Sequence, residues 1–189
     1  MTLPTTSFAL LGLLRSKSMS GYDLAALADQ TIAHFWPVPR SQLYRELGRL
    51  EELGLLAGTA VAQRDAPDKR LFELTEQGRA ALQAWLDEPT FQHERPKNGL
   101  LVKLFFARHM APGRLRELLA GYRAETELRL SHLQTISDRL ADMPEAAYQR
   151  ATARYGVRRA QAALAWLDEV EALLDTEVTT AATLQESTP

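Results

Sequence analysis

The chain has 189 residues, of which 46% are hydrophobic, and a formal net charge of −2 at pH 7. This length suits one medium domain or two small ones, and the slightly acidic balance argues against a protein that coats DNA without sequence preference. A local basic patch for sequence-specific contacts is still compatible with it. The sequence has no cysteine, which excludes disulfides and thiolate metal sites. We see no secretory segment and no membrane-spanning run, so we expect a soluble cytoplasmic protein.

Two helices are predicted at the start of the chain. The first covers residues 7–16 and is apolar on nearly all sides, so we expect it to be buried between its own domain and another surface. Ser20 is a suitable N-cap for the second helix, which should run from about residue 21 to 35. Its predicted core face carries Tyr22, Leu24, Ala25, Leu27, Ala28 and Ile32.

Residues 34–56 predict a third helix with a clear start and a clear stop. Pro37 and Pro39 disfavour helix before it, because a proline restricts the residue in front of it. Gly54 stands where a helix commonly ends. Between them, an apolar face at helical spacing is formed by Leu43, Leu47 and Leu50.

The opposite face of this helix carries hydroxyl, amide and guanidinium groups. At about 100° per residue, Ser41, Arg45 and Gly48 point away from the leucines, with Gln42, Tyr44 and Arg49 beside them. Such groups suit a helix in a nucleic-acid groove, where arginine and glutamine pair with base edges and hydroxyls bind phosphates. An ordinary solvated face with charge pairs between successive turns fits the helix alone equally well.

A predicted β-hairpin follows the third helix and favours the DNA interpretation. Its β-compatible runs, residues 55–63 and 71–74, flank a polar tip over residues 64–70. A helix-turn-helix followed by such a hairpin is a winged helix, whose second helix enters the major groove while the wing touches the DNA backbone. We therefore predict groove and backbone contacts for Arg40, Ser41, Gln42, Tyr44, Arg45 and Arg49, and wing contacts for Lys69, Arg70 and Arg64.

These segments resemble the PadR family of transcriptional regulators. The resemblance rests on the run from Leu43 to Leu47, on Leu50-Glu51 and Gly54, on Leu74-Thr75 with Gly78, and on residues 10–14 and 20–24. Together these cover about the first half of the chain. The resemblance implies a winged helix, dimerisation through a helical C-terminal region, and a response to small aromatic or drug-like effectors.

The rest of the chain is predicted to be helical. A fourth helix begins at Thr75 and ends at Pro89, with Leu82, Trp85 and Leu86 facing inward. A polar, proline-containing stretch over residues 87–97 resembles a linker. We predict a DNA-binding domain over residues 1–88, a linker over 89–98, a helical dimerisation domain over 99–176 and a disordered tail over 177–189.

A short apolar helix and two long amphipathic helices are predicted in the second domain. The short one covers residues 99–110, and the long ones cover 114–143 and 145–174. Apolar residues recur at steps of three and four, which predicts one stripe of Leu115, Leu119, Tyr122, Thr126, Leu130, Leu133, Ile136 and Leu140 and another of Tyr148, Ala151, Tyr155, Ala162, Trp166, Val170 and Leu173. We expect a homodimer to bury them; the alternative is a hairpin within one chain, packed on the wing domain.

No catalytic or metal site is predicted. The four histidines lack metal-ligand spacing, and phosphate-loop, dinucleotide and nucleophile-elbow motifs are absent, so we expect no cofactor and no enzyme. Trp85, Phe105, Phe106 and Trp166 are candidates for an effector pocket, although ordinary core packing explains each of them as well.

The predicted fold is mostly α with a small β-hairpin wing: an N-terminal winged helix-turn-helix followed by a C-terminal helical domain. The predicted function is a transcriptional regulator, most simply a repressor, that binds a palindromic operator as a homodimer and is released by an effector. A winged-helix module that binds another protein instead of DNA is the alternative. An exposed apolar face on the third helix would favour that alternative.

Overall fold

A computed structural model describes residues 3–61, 69–89, 97–111 and 113–186, with side chains as far as residue 176. Internal contacts divide the chain into two compact units, Met1–His93 and Glu94–Pro189. Within the described residues, no helix combines the length and the apolar character needed to cross a bilayer. The fold is mostly helical with one small antiparallel sheet, as the sequence predicts.

The first unit is a winged helix. Its helices are α1 (Thr5–Leu13), α2 (Gly21–Thr31), α3 (Arg40–Glu52) and α4 (Glu76–Asp87). Its strands are β1 (Met19–Ser20), β2 (Leu56–Val61) and β3 (Lys69–Leu74). The sheet is antiparallel in the order β1-β3-β2, with Leu56 opposite Leu74 and Met19 opposite Phe72. Strand β1 is not predicted from the sequence, because a two-residue strand has no periodicity and its pairing is fixed only by the distant β3.

The caps of the helices explain why they begin and end where they do. The Ser20 side chain accepts a hydrogen bond from the Asp23 N–H at the start of α2, and Thr75 caps α4 through the Gly78 N–H. Helix α3 ends in a Schellman motif: Gly54 has φ 69°, and the Leu55 N–H donates to the Leu50 carbonyl at 2.9 Å. The predicted start and stop of the third helix are confirmed within one residue.

The core of the first unit draws side chains from every one of its elements. Its most completely buried members are Leu10, Leu11, Leu24, Leu43, Leu47 and Leu50, with Phe72, Leu74 and Leu82 closing the wing and α4 sides. Two inward predictions for α4 are wrong, because Trp85 is 37% and Leu86 52% exposed. The prediction for Tyr22 in α2 is also wrong, since its side chain is 65% exposed.

The second unit contains α5 (Gly99–Phe105), α6 (Arg114–Arg139) and α7 (Ala147–Glu186), with one 3-10 turn after α5 and another before α7. The short apolar helix is therefore five residues shorter than predicted, and residues 107–109 form the first of these turns. Helix α7 includes the backbone of residues 177–186, and the disorder predicted for the tail from residue 177 stays a prediction. This stretch contains neither proline nor glycine, so nothing in it interrupts the helix.

Helices α6 and α7 pack against each other as an antiparallel pair. The predicted stripe of α6 is the packed face, with Leu119 and Leu133 almost completely buried. The predicted stripe of α7 is packed only in part: Val170 is 8% exposed and Trp166 packs against the core, whereas Tyr148, Tyr155 and Leu173 are 87%, 59% and 66% exposed. The face of α7 that is buried carries small residues as well as leucine, namely Ala153, Gly156, Ala160 and Leu167.

Ion pairs flank the seam between α6 and α7. Arg123 Nη2 lies 2.6 Å from Asp168 Oδ1 and 2.9 Å from Glu171 Oε2, and Arg116 Nη2 lies 2.7 Å from Asp175 Oδ1. The hydrogen bonds from Arg123 to Glu171 and Asp168 raise the pKa of the Arg123 guanidinium. A hairpin of α6 and α7 is thus present in a single chain, and these ion pairs join the N-terminal half of α6 to the C-terminal half of α7.

Candidate nucleic-acid interface

Helix α3 is held in place by its apolar face and by one buried carboxylate. Leu43, Leu47 and Leu50 are at most 1% exposed. Glu46 is 7% exposed and accepts hydrogen bonds from the Ser7 hydroxyl of α1 and from Arg49 Nη1, the latter at 3.2 Å. A buried carboxylate must be paired to be tolerated. Glu46 therefore joins α3 to α1 and fixes one position of the Arg49 guanidinium.

The outward face of α3 is polar and open. Ser41, Tyr44 and Arg45 are exposed, and Gln42 is half-buried. Among the described residues, no side chain forms an ion pair or hydrogen bond with Arg45, so its guanidinium is available to a ligand. Unlike an exposed apolar face, this surface offers hydrogen-bond donors at the spacing of successive helical turns.

Two aromatic contacts place the start of α3 beside the start of α2. A Cβ built on Gly21 would lie 2.5 Å from Tyr44 Cε1, so the Tyr44 ring occupies space that any other residue would fill. The Arg40 guanidinium lies over the Tyr22 ring, 5.7 Å from its centre. The exposed Tyr22 is therefore part of the surface around Arg40 rather than of the core. The sequence does not signal this role, because Tyr22 falls on the apolar periodicity of α2.

The wing cations lie in strand β3, not in a loop, and each is paired with a carboxylate. Lys69 Nζ lies 2.7 Å from Asp23 Oδ2, and Arg70 Nη2 pairs with Glu51 Oε1. The hydrogen bonds from Lys69 and then Ser20 hold the pKa of Asp23 below its ordinary value. The third predicted wing contact, Arg64, lies outside the described residues.

The segment that leads into α3 is tied to α1 by Trp36. Its indole N–H donates to the Thr6 hydroxyl at 3.1 Å, and Thr6 itself is 5% exposed. This contact fixes the chain just before Pro37 and Pro39, and hence the direction in which α3 begins. No local sequence pattern predicts this contact, because the two residues are 30 positions apart.

The candidate effector residues lie in different units and are not brought together by either unit alone. In the first unit, the Trp85 ring stacks on Phe8 with centres 4.8 Å apart. In the second, Phe105 and Phe106 meet edge to face and are 81% and 55% exposed, while Trp166 packs against the core of the helical pair. An effector site formed by these residues stays a prediction. In the part of the chain that the structure describes, no cluster of three or more metal-ligating side chains occurs.

Comparison with known proteins accounts for both units. Residues 10–84 match the model of the transcriptional regulator PadR-like family, and residues 96–175 match that of the virulence activator alpha C-terminal region. A probable transcriptional regulator of Mycobacterium tuberculosis is 32% identical over 185 residues, which cover 90% of this chain and 96% of the relative. The chain belongs to the PadR-like family of transcriptional regulators. It is accordingly a transcriptional regulator and not an enzyme, as predicted.

The family likeness extends to solved structures. The negative transcriptional regulator PadR of Bacillus subtilis is 28% identical over 133 residues, which cover 70% of this chain and 73% of the relative. Its structure in complex with operator DNA superposes with a TM-score of 0.78 at 24% identity, covering 90% of this chain and 99% of that one. The same protein in complex with p-coumaric acid gives 0.72 at 23% identity, covering 91% and 99%. These likenesses show that the PadR-like fold extends through the helical second unit.

Proposed function

We propose that this chain binds double-stranded operator DNA through α3 and the wing, as a homodimer on a palindromic site, and acts as a repressor in the cytoplasm. The observation that carries the proposal is the outward face of α3. There, Ser41, Tyr44 and Arg45 are exposed on a helix whose other side is anchored by fully buried leucines. A rigid helix with free donors on one side suits insertion into a major groove.

The chemistry of this face separates base contacts from backbone contacts. Arg45 has no partner among the described residues, and its forked guanidinium matches two acceptors on the edge of a guanine. Ser41 and Tyr44 carry hydroxyls that suit phosphate oxygens, which position a protein without reading sequence. We therefore propose that Arg45 reads a base, while Ser41, Tyr44, Arg40 and the wing cations hold the backbone.

The alternative of a protein-binding module finds less support in the residues of α3. An adaptor would present an apolar surface on this helix, whereas the exposed side chains here are polar, charged or phenolic. The alternative would regain support if the chain bound no duplex DNA.

The homodimer and the repressor role rest on separate arguments. A two-fold DNA site needs two recognition helices about 34 Å apart, which a single copy of α3 does not provide. The uncovered aromatic and leucine stripe of α7 offers a surface for a second copy. A protein that occupies a promoter site most simply represses transcription by blocking it, and the Bacillus subtilis relative is named a negative regulator.

We further propose that a small aromatic effector releases the protein from DNA. It is supported by the p-coumaric acid complex of the Bacillus subtilis protein and by exposed aromatic side chains at Phe105 and Phe106. A ligand can shift the protein away from DNA only if it binds the free form better than the DNA-bound form. In the binding assay below, p-coumaric acid serves as the first probe for such release.

The test is substitution of Arg45 with alanine. A duplex is selected from a random-sequence pool by the unmodified protein, and its binding is compared in the two proteins. We expect a loss of about 1–3 kcal/mol in specific binding, because a base contact disappears, with no change in thermal stability, because no buried group is removed. Arg79→Ala, which removes an exposed arginine from α4 of the same unit, is the matched control and should bind normally. Equal binding by Arg45→Ala and the control would exclude the base contact.

A further inference from the structure

Both described wing cations are paired with carboxylates in the structure. Lys69 is held by Asp23 across 46 residues of sequence, and Arg70 is held by Glu51 across 19. Each pair links strand β3 to one of the two helices of the helix-turn-helix, so both pairs lie on the surface that is proposed to face DNA. The acidic partners are part of that surface as much as the cations are.

Both carboxylates are fixed by a second hydrogen bond. Glu51 Oε1 also accepts the Gly58 N–H of β2 at 3.1 Å. Asp23 Oδ2 also accepts the Ser20 hydroxyl at 2.7 Å, within the cap of α2. Each carboxylate is therefore bonded both to a wing cation and to a second group of the fold.

The pair of Arg70 and Glu51 lies over Gly58, a position without a side chain. A Cβ on Gly58 would lie 2.5 Å from Glu51 Oε1 and 2.6 Å from Arg70 Nε, which is too close for either. The space above Gly58 is thus filled by the ion pair itself. A side chain at this position would displace the flexible ends of Glu51 and Arg70, so glycine leaves this space to the pair.

Stability alone gives little reason for these pairs. Lys69 and Asp23 are 36% and 47% exposed, and Arg70 and Glu51 are 54% and 28% exposed. Ion pairs at such exposure contribute little to folding, because water and salt screen them. Their effect on DNA affinity is a separate matter, because a DNA phosphate must compete with the carboxylate for the same cation.

Resting on the proposed DNA-binding function, we propose that Asp23 and Glu51 are affinity-limiting residues: their carboxylates compete with DNA phosphates for Lys69 and Arg70. Affinity for DNA of any sequence comes almost entirely from cations that replace the counterions of phosphates. A cation that keeps its carboxylate partner releases fewer counterions. The two acids therefore lower sequence-independent binding, so that occupancy depends more on the base contact of Arg45.

The same residues admit an opposite role, which the experiment separates. If Asp23 and Glu51 served only to orient Lys69 and Arg70 toward DNA, their removal would weaken binding. If they compete with phosphate, their removal strengthens it. The two roles predict opposite signs for one measured quantity.

The experiment compares Asp23→Asn, Glu51→Gln and the double variant with the unmodified protein. Asparagine and glutamine keep an oxygen that can accept from Ser20 and Gly58, so the wing contacts are preserved while the charge is removed. Binding is measured over a series of salt concentrations, on the selected duplex and on a shuffled duplex of the same length. Asp29→Asn on α2 and Glu52→Gln on α3 are the matched controls, since each removes an exposed carboxylate from the same helix without a wing partner among the described residues.

We expect the double variant to bind the shuffled duplex several-fold more tightly at low salt. The slope of log affinity against log salt should steepen by roughly 0.9 for each cation freed. The controls should change the slope by clearly less, because their charges do not hold a wing cation. Unfolding curves measured in parallel show whether each variant keeps its fold. If the double variant does not, the salt slopes of Asp23→Asn and Glu51→Gln are compared with that of the unmodified protein instead.

Two negative results have different meanings. If the unmodified protein binds neither duplex, the proposed function fails and this inference fails with it. If the unmodified protein binds but the double variant has an unchanged slope, or binds more weakly, the proposed function stands and only the competing role of Asp23 and Glu51 is overturned.

Discussion

The two units bury their apolar residues in different ways. In the winged helix, α1 to α4 and the sheet each contribute to one core, where Leu10, Leu24 and Leu43 are completely buried. In the helical unit, the buried side chains line the seam between α6 and α7, and large apolar residues remain open on α5 and α7, among them Val102, Phe105, Tyr155 and Leu173. The first unit thus surrounds a single core, whereas the second leaves several large apolar side chains exposed.

This difference indicates a division of labour between the units. A closed core gives a rigid platform, which a groove-reading helix needs so that its side chains keep their positions. Open apolar surface costs free energy in water and is stabilised when a second surface covers it. Changes in the first unit should therefore act on folding or DNA contacts, and changes on the open faces of the second should act on assembly.

The largest effect is expected from a cavity in the closed core. Leu47→Ala on α3 removes a side chain that is 1% exposed, and we expect the first unit to lose about 2–5 kcal/mol of unfolding free energy. Urea denaturation monitored by circular dichroism measures this loss. Leu86→Ala on α4 is the control, because its side chain is 52% exposed, and it should stay within about 0.5 kcal/mol. Similar losses for both would mean that the first unit is not closed in the way described.

An intermediate effect is expected from charging the uncovered stripe of α7. In the double variant Tyr155→Lys, Leu173→Lys, both changed side chains are more than half exposed in the single chain, so the helical pair should remain folded. We expect light scattering to show a dimer for the unmodified protein and a monomer for this variant. Burying two added charges in an interface without partners strongly disfavours association.

The matched control for this variant lies one residue away. Ala172→Lys places one of the same charges on an exposed position of α7, about 100° around the helix from Leu173. It should leave the dimer intact. A monomeric unmodified protein, or a variant that stays dimeric, would contradict the comparison, because the open face would then not be an assembly surface.

The smallest effect is a dependence of stability on pH in the first unit. The hydrogen bond from Lys69 lowers the pKa of Asp23 below its ordinary value, so the ionised form is favoured by folding. This contribution is complete above the ordinary pKa of aspartate and is lost as the pH falls through the lowered value. The stability difference between the unmodified protein and Asp23→Asn should therefore shrink on acidification below about pH 4.

Unfolding of the two proteins measured over that pH range tests this expectation. Asp29→Asn serves as the control for removal of an exposed carboxylate from the same helix. A stability difference between the unmodified protein and Asp23→Asn that does not depend on pH would show that the contact with Lys69 has no effect on folding.

The predictable features are those encoded by neighbouring residues. The bounds of α3 follow from Pro39 before it and Gly54 after it, and both act through the local backbone. The stripe of α6 was predicted because leucine recurs there at regular spacing. The packed face of α7 was missed because Ala153, Gly156 and Ala160 give a weak hydrophobic signal, although small side chains allow two helices to approach closely.

The unpredictable features are contacts between distant parts of the chain. The sequence predicts Lys69 and Arg70 as wing cations, but the carboxylates that pair with them come from α2 and α3. The link from Ser7 to Glu46 and the link from Trp36 to Thr6 likewise join segments that are at least 30 residues apart. Such pairings depend on the assembled fold, so no local pattern signals them.

The placement of the three tryptophans gives each unit its own optical reporter. Trp36, hydrogen-bonded to Thr6, and Trp85, stacked on Phe8, both belong to the winged helix. Trp166 belongs to the helical pair and lies at the edge of the open stripe of α7. With the other two indoles replaced by phenylalanine, the emission of Trp166 reports the polarity around that stripe. Association that covers the second unit can then be followed as a shift in the emission wavelength of Trp166, because the first unit no longer contains a tryptophan.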